Sequence, residues 1–134
     1  MRYRLLEHTA DAMVEVHGVT LEERFENAAY ALFDQITDAS TVRPKGEVEV
    51  SVSAGSREQL LVDFLQELLF LHDTENLVFS RFVIEMEGDT LRARAQGEEF
   101  DPTRHAKRSV VKGITYHGLE FRDDESKLVL LFDV

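Results

Sequence analysis

Hydrophobic and polar positions alternate along this chain with two different periods, and the switches between them divide it into elements. Tyr3 to Leu6 reads as a short strand, followed by a His-Thr-Ala-Asp turn. Ala12, Val14 and Val16 then alternate against Met13, Glu15 and His17, the period of a half-buried strand, and Gly18 closes it. Thr20-Leu21-Glu22-Glu23 has the form of a capping box, in which a hydroxyl and a carboxylate satisfy free amides at a helix start. Leu21, Phe25, Ala28, Ala29, Leu32, Phe33 and Ile36 follow at helical spacing, which predicts an amphipathic helix ending near Thr37 to Ser40.

Pro44-Lys45-Gly46 breaks the chain before Val48, Val50 and Val52, which alternate with Glu47, Glu49 and Ser51. Ser56 with Gln59 forms a second capping box, opening a strongly apolar helix through Leu60, Leu61, Phe64, Leu65, Leu68, Leu69 and Leu71. From Leu77 to Met86 the period of two returns, and Gly88-Asp89 predicts a hairpin turn into Leu91, Ala93 and Ala95. After a polar link from Gly97 to His105, Val110 to Phe121 and Lys127 to Phe132 read as two strands joined by a turn at Asp123-Asp124-Glu125-Ser126. Leu128, Leu130 and Phe132 alternate with the equally apolar Val129 and Leu131, so the last strand is expected inside the sheet. These elements predict one α+β domain over residues 1–134. The expected architecture is a single, mostly antiparallel or mixed sheet of about six or seven strands, with two long amphipathic helices on one face.

Composition narrows the function. A chain of 134 residues buries a core without disulfides, and the absence of cysteine removes thiolate metal sites and cysteine nucleophiles. No apolar run reaches membrane-spanning length and Met1 to Leu5 carries no secretory pattern, so a cytoplasmic protein is expected. The net charge of −11 repels phosphates at long range, which argues against autonomous nucleic-acid binding and favours cations or a basic partner.

Two groups of residues carry candidate chemistry. Asp11 ends the Glu7-His8-Thr9-Ala10-Asp11 segment, and Phe132-Asp133-Val134 places a second acid beside the terminal carboxylate. Asp11, Asp133 and Val134 offer oxygen donors of the kind calcium, magnesium and manganese prefer, although Asp11 as a turn cap and Asp133 as a solvated residue explain the same sequence. His8 lies in the same turn and could orient a carboxylate. Arg104, His105, Lys107, Arg108 and Lys112 form the one dense basic cluster; they could meet a phosphate or an acidic partner edge, or balance Glu98, Glu99 and Asp101. Glu67 sits at the border of the second helix's apolar face. No nucleophile elbow or phosphate-cradling glycine loop is present.

Glu7-His8-Thr9-Ala10-Asp11, Glu67-Leu68-Leu69-Phe70, Glu99-Phe100-Asp101 before His105, Lys112-Gly113-Ile114-Thr115-Tyr116 and Phe132-Asp133-Val134, in that order, resemble the archease family over the whole chain. The resemblance implies an accessory protein, not itself an enzyme, of the RtcB-type RNA ligase that joins tRNA halves in tRNA splicing. It implies support of the ligase's metal- and GTP-dependent guanylylation and of its multiple turnover. The family's metal-binding acids correspond to Asp11 and Asp133, with the carboxylate of Val134 as a third ligand. His8 and Lys112 match motif positions without an assigned role. Two other readings stand beside it: a general chaperone-like binding module, and a small metal-dependent hydrolase using Asp11 and Asp133.

Overall fold

The computed structural model describes residues 1–6 and 11–134. The segment 7–10, with His8, lies outside the described residues. The described chain forms seven strands and two helices: β1 (Tyr3–Leu6), β2 (Ala12–His17), α1 (Leu21–Ile36), β3 (Gly46–Ser53), α2 (Arg57–Glu75), β4 (Leu77–Glu87), β5 (Thr90–Glu99), β6 (Gly113–Arg122) and β7 (Lys127–Asp133). The hydroxyl half of each capping box forms as read. Thr20 Oγ1 accepts from the Glu23 amide at 3.1 Å and Ser56 Oγ from the Gln59 amide at 3.1 Å. Asn76, in the left-handed region at φ 58°, ends α2 and hands the chain directly to β4.

The expectation of a single sheet is corrected. The strands form two antiparallel sheets, one of four in the order β1-β2-β7-β6 and one of three in the order β3-β5-β4. Alternation of apolar residues determines which face of a strand is buried, but it carries no signal for which edges are hydrogen-bonded. Here the Gly88 turn (φ +59°) closes β4 onto β5, and β3 takes the other edge of β5, so this unit is complete by itself. The helices are likewise not confined to one face of one sheet. α1 packs against β4 and β2, and α2 against β6 and β3, so each helix reaches both sheets. The core lies where the helices meet these inner faces. Phe33 on α1 meets Phe79 and Phe82 of the three-stranded sheet, at ring-centroid separations of 5.4 and 6.2 Å. Val14, Leu128, Leu130 and Phe132 are buried on the four-stranded sheet.

The last strand is interior, as its two apolar faces imply: β7 is paired on one side by β2 and on the other by β6. β6 departs from expectation at both ends of its motif. It starts at Gly113, not Val110, and the chain just before Val110 is tied to α1 instead of to the sheet. Arg108 and Ser109 donate to the α1 carbonyls of Ile36 (3.0 Å) and Gln35 (2.8 Å), closing the end of that helix. The expected alternation through Lys112-Gly113-Ile114-Thr115-Tyr116-His117 also fails beyond Thr115. The register with β7 shifts between Thr115 and Glu120, and Tyr116, His117 and Gly118 are all exposed on the resulting bulge.

Candidate functional site: an acidic sheet end and the strap that carries it

Asp133 is the last residue of β7, and both neighbouring strands locate it. On one side β2 pairs Ala12 with Phe132, the last pair of that ladder, and Asp11 precedes Ala12 in a bend. On the other side Gly113 pairs with Asp133, and the Lys112 amide donates to the Asp133 carbonyl at 2.6 Å. Residues directly opposite in an antiparallel ladder share a face, with Cβ atoms about 5 Å apart. Phe132 is buried in the core, so Asp133 belongs to the opposite face of β7, with Leu131 and its partner Met13. The two acids thus flank one ladder pair, Asp11 before Ala12 and Asp133 after Phe132. Val134 follows Asp133 directly and is exposed, as is Asp133.

The bulge of β6 folds over the same face. Gly118 adopts φ +77°, and a Cβ there would lie 2.8 Å from Leu131 Cδ1, so backbone covers the side chain two residues before Asp133. The Thr115 hydroxyl accepts the His117 amide at 3.0 Å and holds the bulge's shape.

The basic cluster resolves into separate roles. Asp101 opens a single turn: its carboxylate accepts from the Thr103 amide (2.9 Å) and hydroxyl (2.7 Å), and its carbonyl accepts from the His105 amide at 2.7 Å. The Thr103 hydroxyl, with its amide, holds the Asp101 carboxyl below its ordinary range. His105 is buried between Phe100 and Glu98. Its Nδ1 accepts from the Asp101 amide at 2.8 Å, so the ring proton sits on Nε2 and is donated to Glu98 Oε2 at 2.9 Å. Arg104 forms an ion pair with the same oxygen and also donates to the Thr41 carbonyl, while the Arg43 amide donates to Glu98 at 2.8 Å. Burial pushes the Glu98 carboxyl up, but the three donors Arg104, Arg43 and His105 together outweigh it and hold it at about 2. Arg104 and His105 are therefore occupied by Glu98, one of the acids the sequence suggested as a counter-ion. Arg108 is occupied by the Asp34 carboxylate (3.2 Å) and carbonyl (2.9 Å). Lys112 is exposed, and among the described residues no carboxylate lies within ion-pair distance of its ammonium group.

The segment from Glu98 to Lys112 thus works as a strap. One end is anchored at Glu98 on β5, the middle closes α1, and the last amide fixes Asp133. Glu67 is exposed on α2, without an ion pair among the described residues. His17 Nε2 lies 3.2 Å from Glu15, and His72 Nδ1 2.9 Å from the Leu77 carbonyl. Sequence reasoning also missed Glu15, which looks solvent-facing from its alternation. It is buried under Arg4, His17 and Lys127, and the Arg4 hydrogen bond, against the cost of burial, holds its carboxyl low. No local signal announces such a cluster, because its members come from three strands.

Among the described residues no group of three or more His, Cys, Asp and Glu side chains is arranged to hold a metal ion. The candidate set is Asp11 and Asp133, which flank one strand pair, with Val134 after Asp133. Their oxygen-only chemistry is of the kind a hard divalent cation takes, six to eight oxygen ligands in the case of calcium and several of them water in the case of magnesium.

The fold defines a small α+β protein of two antiparallel sheets and two helices, with Asp133 and Val134 exposed at the end of the four-stranded sheet. Comparison with known proteins narrows the class to one family. Residues 3–134 match the Archease protein family (MTH1598/TM1083), and the chain belongs to that family. It is 38% identical to protein archease of Sulfurisphaera tokodaii over 135 residues, covering 99% of this chain and 97% of the relative. It is 45% identical to protein archease of Pyrococcus furiosus over 118 residues, covering 85% and 83%. The solution structure of Methanobacterium thermoautotrophicum protein 1598 superposes with a TM-score of 0.84 at 37% identity, covering 99% of both chains.

Proposed function

We propose that this protein is a non-catalytic accessory protein of an RtcB-type RNA ligase in tRNA splicing, promoting the metal- and GTP-dependent guanylylation of the ligase and its multiple turnover. The observation that supports the reading is the end of the β2–β7 ladder, where Asp11 and the exposed Asp133 flank the Ala12–Phe132 pair. Family membership and the net charge of −11 support it, since a strongly acidic surface suits transient docking on an enzyme that binds RNA and GTP through basic groups. In this reading Asp11, Asp133 and the carboxylate of Val134 hold a divalent cation, calcium, magnesium or manganese. When bound, the cation supplies positive charge for phosphate oxygens.

The chain's own residues orient that end. Gly113 and Lys112 fix the Asp133 main chain from the β6 side, and the Glu98 strap fixes Lys112. Lys112 adds a cation whose charge is not neutralised by a described carboxylate. GTP is used by the ligase in this scheme, and no surface of this chain is assigned to RNA.

Multiple-turnover RNA ligation by the cognate ligase with GTP and a divalent metal tests the reading. The wild type should accelerate turnover, and Asp11→Ala and Asp133→Ala should fold normally without doing so. Equal acceleration by both variants would remove the carboxylates from the mechanism. Suppression of aggregation of unrelated proteins, without ligase activation, would instead establish the chaperone-like module.

A further inference from the structure

The two sheets present four strand edges, those of β1 and β6 on one and of β3 and β4 on the other. An uncovered edge is a template for a further strand, and proteins shorten, kink or cover such edges. Three of the four carry a device of this kind. β1 is only four residues long. β6 is broken by its bulge, and Gln66 Nε2 of α2 donates to its Ile114 carbonyl at 3.3 Å. β4 has a register shift between Phe79 and Arg81 and packs along α1. β3 differs: its eight residues pair with β5 in unbroken register and include no proline. The Ala54 amide donates to the Asp89 carbonyl at 3.0 Å, which extends that ladder and sets its phase. Val48, Val50 and Val52 therefore turn their amides and carbonyls toward β5. Those of Glu47, Glu49, Ser51 and Ser53 point the other way, out of the sheet edge, and have no hydrogen-bond partner among the described residues.

We propose that β3 pairs antiparallel with β3 of a second copy of this chain, joining two three-stranded sheets into one continuous sheet. A two-fold axis through Val50 uses the whole strand and sets Glu49 opposite Ser51 of the second copy and Glu47 opposite Ser53. No like charges are then opposed, whereas an axis through Glu49 would set that carboxylate against its own copy. Every outward amide and carbonyl of these four residues gains a main-chain partner. On the inner face Val48 meets Val52 of the second copy, and both are only partly buried in the single chain. Charge on the outer face selects the same arrangement. Arg92 lies opposite Ser51 on β5 and is exposed, without an ion pair among the described residues. In the joined sheet Arg92, Ser51 and Glu49 of the second copy form one row, its outer members about 10 Å apart at Cα. Ser51 is small, so the guanidinium and the carboxylate meet above it. The net charge of −11 on each copy is screened over about 8 Å at physiological ionic strength, so these local contacts decide the pairing. The inference stands apart from the accessory reading and does not depend on it.

The test is sedimentation of the wild type from micromolar to millimolar concentration, with main-chain amide exchange followed residue by residue at both ends of that range. A single strand pair buries little surface, so a weak dimer is expected. At high concentration the amides of Glu47, Glu49, Ser51 and Ser53 should exchange about tenfold more slowly, while those of Val48, Val50 and Val52 are protected throughout. Ser51→Pro removes an outward amide and leaves the β5 ladder intact, so it should abolish the dimer and keep the fold. Ser51→Glu places a like-charge pair on each side of the axis and should raise the dimer Kd about tenfold. Val19→Glu adds the same charge at a remote site that is 78% exposed and should change Kd far less. If Ser51→Pro does not fold, Ser51→Glu decides. Wild type that stays monomeric at millimolar concentration would overturn the proposal, as would a dimer equally tight in Ser51→Glu and Val19→Glu. Slowed exchange at the four amides only on adding the cognate ligase would assign the edge to a strand of another protein, and would overturn it too.

Discussion

Replacing Glu98 by Gln probes the anchor of the strap that ends at Asp133. Glutamine has the shape of a protonated glutamate, so the variant reports what the charge of this carboxylate contributes. In the folded protein the carboxyl is held at about 2 against an ordinary 4.5. At about 1.4 kcal/mol per tenfold change this corresponds to about 3 kcal/mol in favour of the folded state at neutral pH. Arg104, the strongest donor, is 30% exposed, and solvent screening lowers the expectation to about 2 kcal/mol. A depressed carboxyl stabilises the fold above its unfolded value and ceases to do so as pH falls through its folded value. The difference between wild type and Glu98→Gln should therefore be complete at pH 7, shrink below about pH 4.5, and be nearly gone at about pH 2. Urea unfolding followed by circular dichroism at pH 7, 5 and 3.5 measures it, and at neutral pH the same difference lowers Tm by about 6–8 °C. A gap of equal size at pH 7 and pH 3.5 would refute the reasoning, because the contribution would then not be that of a titrating charge. Because the strap carries the amide that holds Asp133, the variant should also weaken whatever affinity the acidic end has for cations.

Other consequences are more local. Asp133→Asn should weaken binding of calcium or manganese at least tenfold by calorimetry while leaving Tm in chelator unchanged; undiminished binding would place the cation elsewhere. Phe33→Ala removes a fully buried ring from the aromatic contact between α1 and the three-stranded sheet and should cost about 3–5 kcal/mol, visible as a lowered urea midpoint. Gly97→Ala should prevent stable folding, since its Cβ would stand 1.9 Å from the Val78 carbonyl oxygen beside the β4 bulge, whereas Gly55→Ala, with open space around the position, should be tolerated; soluble yield and thermal midpoints compare the two.

Much of this architecture is legible without coordinates. The caps at Thr20 and Ser56, the helical stripe of α1, the Gly88 hairpin and the interior character of β7 all depend on residues close in sequence, and local hydrogen bonding and burial periodicity are enough to specify them. The family resemblance, carried by five short segments in order, agrees with the match over residues 3–134. What stayed hidden depends on partners far apart in the chain. Two sheets in place of one follow from which strand edges meet, and alternation is blind to edges. The bulge at Tyr116 to Leu119 breaks an alternation that looks regular as text, because the geometry of β7 and Gly118 decides where the ladder resumes. Arg104 and His105 read equally well as ligand-binding or as counter-ions until Glu98, Arg43 and Thr41 are seen around them. The sequence by itself determined the elements, their buried faces and the acids at Asp11 and Asp133. Only the tertiary structure decided that those acids flank one strand pair, Ala12 with Phe132, since that pairing is set by a hydrogen-bond register between strands at opposite ends of the chain.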